Sequence, residues 1–121
     1  MHGGAWAVPA ATANPTFGAA ARAGLQAALG AGGRALESGA AALDAVVAAV
    51  RELEDCPVLN AGRGSVLNAA GDVELDAALM EGTSHRAGAV AGVRRIVHPV
   101  EAARAVLLDG RHVLIAGPGA E

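Results

Sequence analysis

The sequence has no lysine and no tyrosine, and only one cysteine, one tryptophan and one phenylalanine in 121 residues. Each shortage excludes something. A single thiol, Cys56, cannot build an intrachain disulfide framework or a multi-cysteine zinc site, and it suits a reducing cytoplasm. The 9 basic residues are all arginines, scattered singly apart from Arg94-Arg95, and the formal net charge is −3. No basic run therefore marks a nucleic-acid or anionic-membrane surface. No uninterrupted apolar stretch reaches about 18 residues, and Met1 runs directly into His2-Gly3-Gly4, so neither a membrane span nor a signal peptide is expected.

What is present is small and apolar. Hydrophobic residues make up 53% of the chain, most of them alanine, with 17 glycines and only 17% charged residues. That balance argues against intrinsic disorder. The length suits one domain, and residues 1–121 read as a single α/β region with no low-complexity linker. Alanine buries little area, so the core depends on close approach of backbones rather than on aromatic bulk.

The opening to Pro9 reads as a glycine loop, and Ala10 to Phe17 as a polar connector. From Gly18 to about Leu36 the composition predicts a helix weakened by Gly24, Gly30, Gly32 and Gly33. Ser38-Gly39 breaks it. Leu43, Val46, Val47, Val50 and Leu53 then recur at three- and four-residue spacing, predicting an amphipathic helix over Ala40–Glu54 that buries this stripe and stops before Pro57. Cys56 to Ala70 reads as a structured glycine and asparagine loop. Val73–Met80 and Ala87–Val93 read as two strands of an antiparallel hairpin, Pro99–Leu108 as a helix opened by proline, and His112–Ala116 as a buried strand.

Candidate chemistry is sparse. None of Thr12, Thr16, Ser38, Ser65, Thr83 or Ser84 lies in a nucleophile elbow, and Cys56 reads as a structural thiol. His2, His85, His98 and His112 lack metal-ligand spacing. Glu74 and Asp76, two apart on a strand, share a face suited either to acid–base work or simply to solvent, with a buried Asp76 bonded to nearby amides as a further reading. Gly117-Pro118-Gly119 after an apolar strand is half of a dinucleotide-binding turn, without the third glycine or the distal acid. The Leu53–Gly64 loop is a better clue. A curl of this kind turns carbonyl oxygens inward, as a hard cation requires, although a helix C-cap followed by a compact loop explains it equally well.

Three segments together resemble the plant-type L-asparaginase and isoaspartyl peptidase family of N-terminal nucleophile hydrolases. They are His2-Gly3-Gly4-Ala5-Trp6; Leu53 through Val66, with its Asn60-Ala61-Gly62-Arg63-Gly64 centre; and Glu74 through Gly82 running into Ala87–Val93. His98-Pro99-Val100 and Gly117 through Glu121 extend the likeness to nearly the whole chain. The resemblance implies part of an αββα sandwich, corresponding to most of an N-terminal (alpha) subunit. It implies a precursor that cleaves itself autocatalytically to expose a threonine nucleophile, and amide hydrolysis of L-asparagine or β-aspartyl peptides. It places Gly3 and Gly4 at the active-site wall, and Asn60 close to the nucleophile. It assigns the backbone carbonyls of Leu53, Glu54, Cys56, Leu59, Ala61 and Arg63 to a structural sodium ion, with no other cofactor.

The nucleophilic threonine itself matches nothing in this sequence, so the expectation is an inactive fragment lacking its C-terminal (beta) subunit, cytoplasmic and drawn from a homo-oligomeric family. A degenerate, non-catalytic binding or assembly partner is the alternative, and a dinucleotide-binding fragment a more distant one.

Overall fold

In a computed structural model, residues 15–121 are described. The chain forms two compact units, Met1–Gly64 and Ser65–Glu121.

The first unit is a helical hairpin. Helix α1 spans Pro15–Glu37 and α2 spans Ala42–Asp55. The start of α1 lies ahead of the expected Gly18 because proline fits the first helical position, where its missing N–H would have no partner. Its glycines do not interrupt it. Gly39, with φ +83°, ends α1 in a Schellman arrangement: the Gly39 N–H donates to the Leu36 carbonyl and the Ala40 N–H to the Ala35 carbonyl, each at 3.0 Å. Ser38 Oγ donates to the Ala35 carbonyl at 2.8 Å.

The buried face of α2 keeps part of the expected stripe, with Val47 buried and Leu43, Val50 and Leu53 half-buried, and departs from it at Val46. Ala45, Val47 and Ala49 are buried, whereas Val46 is 50% exposed. The reason lies on α1, where Gly24, Ala28 and Gly32 recur every four residues and Ala28 is fully buried. A Cβ on Gly32 would come within 3.3 Å of both the Ala45 carbonyl oxygen and the Ala49 Cβ. Small residues on both helices bring the axes together, and Ala45 and Ala49 take interface in preference to Val46.

The second unit is a three-stranded sheet in the order β1-β2-β3 with helix α3 on one face. β1 (Leu75–Met80) pairs antiparallel with β2 (Ala87–Val93), and β3 (Leu114–Ala116) pairs parallel with β2 after the α3 crossover (Pro99–Asp109). The element order is the expected one. The first strand begins at Leu75 rather than Val73, because the preceding residues form a turn in which Asn68 Oδ1 accepts the N–H groups of Ala70 and Asp72.

The core holds Leu75, Leu79, Val90 and Val93 from the sheet against Val100, Ala103, Val106 and Leu107 from α3. Gly88 sets their spacing. A Cβ there would lie 2.3 Å from both the Ala103 carbonyl oxygen and the Leu107 nitrogen. Between Leu75 and Ala77 the register shifts, so Ala91 and Gly92 together oppose Asp76. Gly92 has φ +62°, and its N–H donates to Asp76 Oδ1 at 2.8 Å.

One strand departs from expectation. The strand expected to be buried over His112–Ala116 is only Leu114–Ala116, with Val113 and Leu114 65% and 57% exposed. Among the described residues β3 has a neighbour on one edge only, and α3 covers the opposite face of the sheet. No helix of the described residues is long and apolar enough to cross a membrane.

Candidate functional site

In the first unit the chemistry lies where α2 ends. Pro57 cannot continue a helix, and the Cys56 N–H caps the end on the Leu53 carbonyl. The chain then curls through a series of short bonds: Leu59 N–H to Cys56 O (3.3 Å), Ala61 N–H to Leu59 O (2.8 Å) and Gly64 N–H to Ala61 O (3.3 Å). It closes in a 3₁₀ turn over Gly62–Gly64.

Two glycines permit the curl. Gly62 has φ +54°, and a Cβ on it would meet the Glu54 carbonyl oxygen at 2.3 Å. A Cβ on Gly64 would sit 2.0 Å from the Leu59 oxygen and 2.8 Å from the Cys56 oxygen. Carbonyls of Glu54, Cys56 and Leu59 thus crowd the glycine backbone. Buried side chains of Glu54, Cys56 and Leu59 anchor the loop beneath.

The donor set is chemically suited to a hard cation. Leu53, Cys56, Leu59 and Ala61 each give one lone pair to a backbone N–H, which leaves a second lone pair on each oxygen. Neutral carbonyls favour a monovalent ion over zinc, and among the described residues no group of three or more His, Cys, Asp or Glu side chains could hold a metal. Asn60 is exposed on this loop. Gly3, Gly4, Thr12 and His2 lie outside the described residues.

In the second unit a charged cluster stands at the open end of the hairpin. Arg94 Nη1 donates to Asp72 Oδ2 at 3.1 Å, while its Nε (3.1 Å) and Nη2 both donate to Glu74 Oε1. Hydrogen bonds from Asn68 and then Arg94 hold the Glu74 carboxyl below the usual range, and Glu74 in turn raises Arg94. Glu74 precedes β1 rather than lying in it, and Asp76 is exposed with its oxygen on the Gly92 amide. Both carboxylates are therefore engaged structurally, which favours the solvent-facing reading over acid–base work; Asp76 does bond an amide, but from an exposed position rather than the expected buried one. Arg94 is 53% exposed, which limits what such ion pairs contribute.

Glu121 completes the cluster: its Oε1 accepts the N–H groups of Arg94 (2.6 Å) and Arg95 (3.0 Å). The sequence pattern missed this arrangement. Its only trace was the Arg94-Arg95 pair, since nothing in spacing shows that an acid 26 residues on returns to those amides. Gly117-Pro118-Gly119, the half dinucleotide turn, lies in a 3₁₀ turn spanning Gly117–Ala120.

Two of the hydroxyls serve local turns. Ser38 bonds the end of α1, and Ser84 Oγ donates to Glu81 Oε2. His85 occupies the hairpin loop with φ 56°, His98 precedes α3, and His112 is exposed.

The sequence profile of the asparaginase family matches residues 1–121, the whole chain. The chain belongs to the asparaginase family. It is 44% identical over 121 residues to an isoaspartyl peptidase of Escherichia coli, covering 100% of this chain and 38% of that protein. It is 53% identical over 90 residues to an isoaspartyl peptidase of Salmonella typhimurium, covering 74% and 29%. It is also 50% identical over 97 residues to a plant-type L-asparaginase of Thermococcus kodakarensis, covering 80% and 31%. The asparaginase-family chain thus spans about a third of the length of the curated relatives it matches.

Proposed function

We propose that this chain is part of an amide hydrolase acting on L-asparagine or β-aspartyl peptides, and that its nucleophile resides on polypeptide outside these residues. The observation that carries the reading is the match of 80% or more of the chain to relatives named for those two activities. In the proposed reaction a threonine, freed by self-cleavage of a precursor, uses its own α-amine to take up its hydroxyl proton. Its Oγ attacks the side-chain amide carbon, and ammonia or an amine leaves with the returned proton. Water then hydrolyses the resulting ester and releases aspartate. Donors aimed at the developing oxyanion lower the barrier in both halves.

This chain's share is architectural. It would supply one side of an αββα sandwich, with Gly3 and Gly4 at the wall of the site and Asn60 beside the nucleophile. The loop of Leu53, Glu54, Cys56, Leu59, Ala61 and Arg63 would hold a sodium ion through its carbonyls. The ion would lock the curl that presents Asn60, a role consistent with the carbonyls crowded onto Gly62 and Gly64. The remaining subunit, self-association and a cytoplasmic location belong to the same proposal.

The test is an assay of ammonia release from L-asparagine and of aspartate release from a β-aspartyl dipeptide. The chain alone should give neither. Joined to the remaining two thirds of a family member, it should turn over one or both, and Asn60→Ala should lower kcat. Turnover by the isolated chain overturns the assignment of the nucleophile. An inert joined protein that is correctly folded and cleaved points instead to the non-catalytic partner.

A further inference from the structure

The end of β2 and the turn after β3 have no part in the proposed reaction, yet they share an unusual arrangement. A groove of about 990 Å³ is bounded on one side by Gly92, Arg94 and Ile96 and on the other by Gly117, Pro118 and Glu121. None of the residues in the Gly117–Ala120 turn is fully buried, and the turn lies against the end of β2. Glu121 adds the polar tie. Its side chain is only 16% exposed, and one of its oxygens takes both the Arg94 and Arg95 amides. Gly117, with φ +59°, stands at the other end of the segment, at a point where the backbone can pivot.

We propose that Gly117–Glu121 is a strap closed by a carboxylate latch, in which Glu121 holds the turn across the end of β2 and releases it on taking up a proton. Hydrogen bonds to an ionised acceptor are roughly twice as strong as neutral ones, so protonation weakens both contacts together. The charged groups facing the latch are Arg94, already engaged by Glu74 and Asp72, and Arg95, whose Nε lies 3.8 Å from Glu121 Oε2. The Arg94 amide first, and then the Arg95 amide and the two cations, hold Glu121 below the ordinary carboxylate range. A carboxyl lowered in this way keeps the latch closed at neutral pH and opens it as pH falls through the lowered value.

Amide hydrogen exchange on the 121-residue chain tests this, with Val90 in the core as reference. In Glu121→Gln at neutral pH, protection at Arg94 and Arg95 should fall about tenfold, the loss expected when a charge-assisted acceptor becomes neutral, while Val90 keeps its protection. In the wild-type chain the same two amides should lose protection on acidification, in step with the Glu121 carboxyl followed by carbon NMR, and the variant should show no such step. Unchanged protection at Arg94 and Arg95 in the variant, or an equal loss at Val90, overturns the latch. A wild-type step out of register with the Glu121 titration also overturns it, whether or not the variant folds.

Discussion

Glu81 organises the hairpin loop between β1 and β2 almost alone. Its Oε1 accepts the Thr83 N–H at 2.9 Å, and its Oε2 accepts the Ser84 N–H at 2.7 Å together with the Ser84 hydroxyl. These bonds, the Ser84 hydroxyl foremost, pull its pKa from 4.5 to about 2. A carboxyl depressed in the folded state stabilises fully above its unfolded pKa and loses that contribution as pH falls toward the folded one. Glu81→Gln should therefore lower Tm at pH 7, and the gap to wild type should close between pH 4.5 and about 2. Thermal melts across that range check it, and a gap independent of pH would contradict the assignment. Nearby, Arg86 Nη2 donates to the Leu107 and Leu108 carbonyls, tying the hairpin loop to the free end of α3.

At the scale of the elements, the pairing of α1 with α2 depends on which glycines face the partner. Gly33 has nothing within 4 Å of a Cβ position, whereas a Cβ on Gly24 would lie 2.6 Å from Cys56 Sγ. Gly33→Ala should stabilise the first unit by up to ~1 kcal/mol through helix propensity. Gly24→Ala should destabilise it, since forcing a methyl into a packed site costs ~1–3 kcal/mol. Chemical denaturation of the two variants distinguishes them by sign.

The same contrast separates what the sequence makes legible from what it does not. Helix and strand order is set by apolar periodicity and by Pro57, Pro99 and Gly39, because these act locally. The buried face of α2 is not, because hydrophobicity ranks Val46 above Ala45. The choice between them is made by Gly32 on another helix. The carbonyl curl at Leu53–Gly64 is legible from its glycines and proline. The Arg94 cluster is not, since it joins residues far apart in sequence, Glu121 through main-chain amides and Asp72 through the guanidinium.

For the whole molecule, the informative quantity is the apolar surface left in water. Leu29, Leu36, Val66, Leu67, Met80, Val97, Leu108, Val113 and Leu114 are all more than half exposed. The sheet face away from α3 carries Ala78, Met80, Leu114 and Ala116, all exposed, and among the described residues β3 is paired on one edge only. Such a surface invites association. The isolated chain should self-associate with rising concentration, and Leu114→Lys should reduce this. Sedimentation velocity at several concentrations reads the effect, and a wild-type chain monomeric throughout would contradict it.

The bulge at Gly92 also decides how β2 answers a change of length. Gly88 and Val90 point toward α3 at even numbers, and after the extra residue Val93 points there at an odd one. A deletion of one residue between Val90 and Val93 would straighten the ladder and place Val93 two positions after Val90, still opposite Leu75 and still facing α3. What would be lost is the Gly92 N–H bond to Asp76 Oδ1 and the sharper local twist. Loss of the extra residue should thus leave the core face of β2 intact and remove only what the bulge itself supplies.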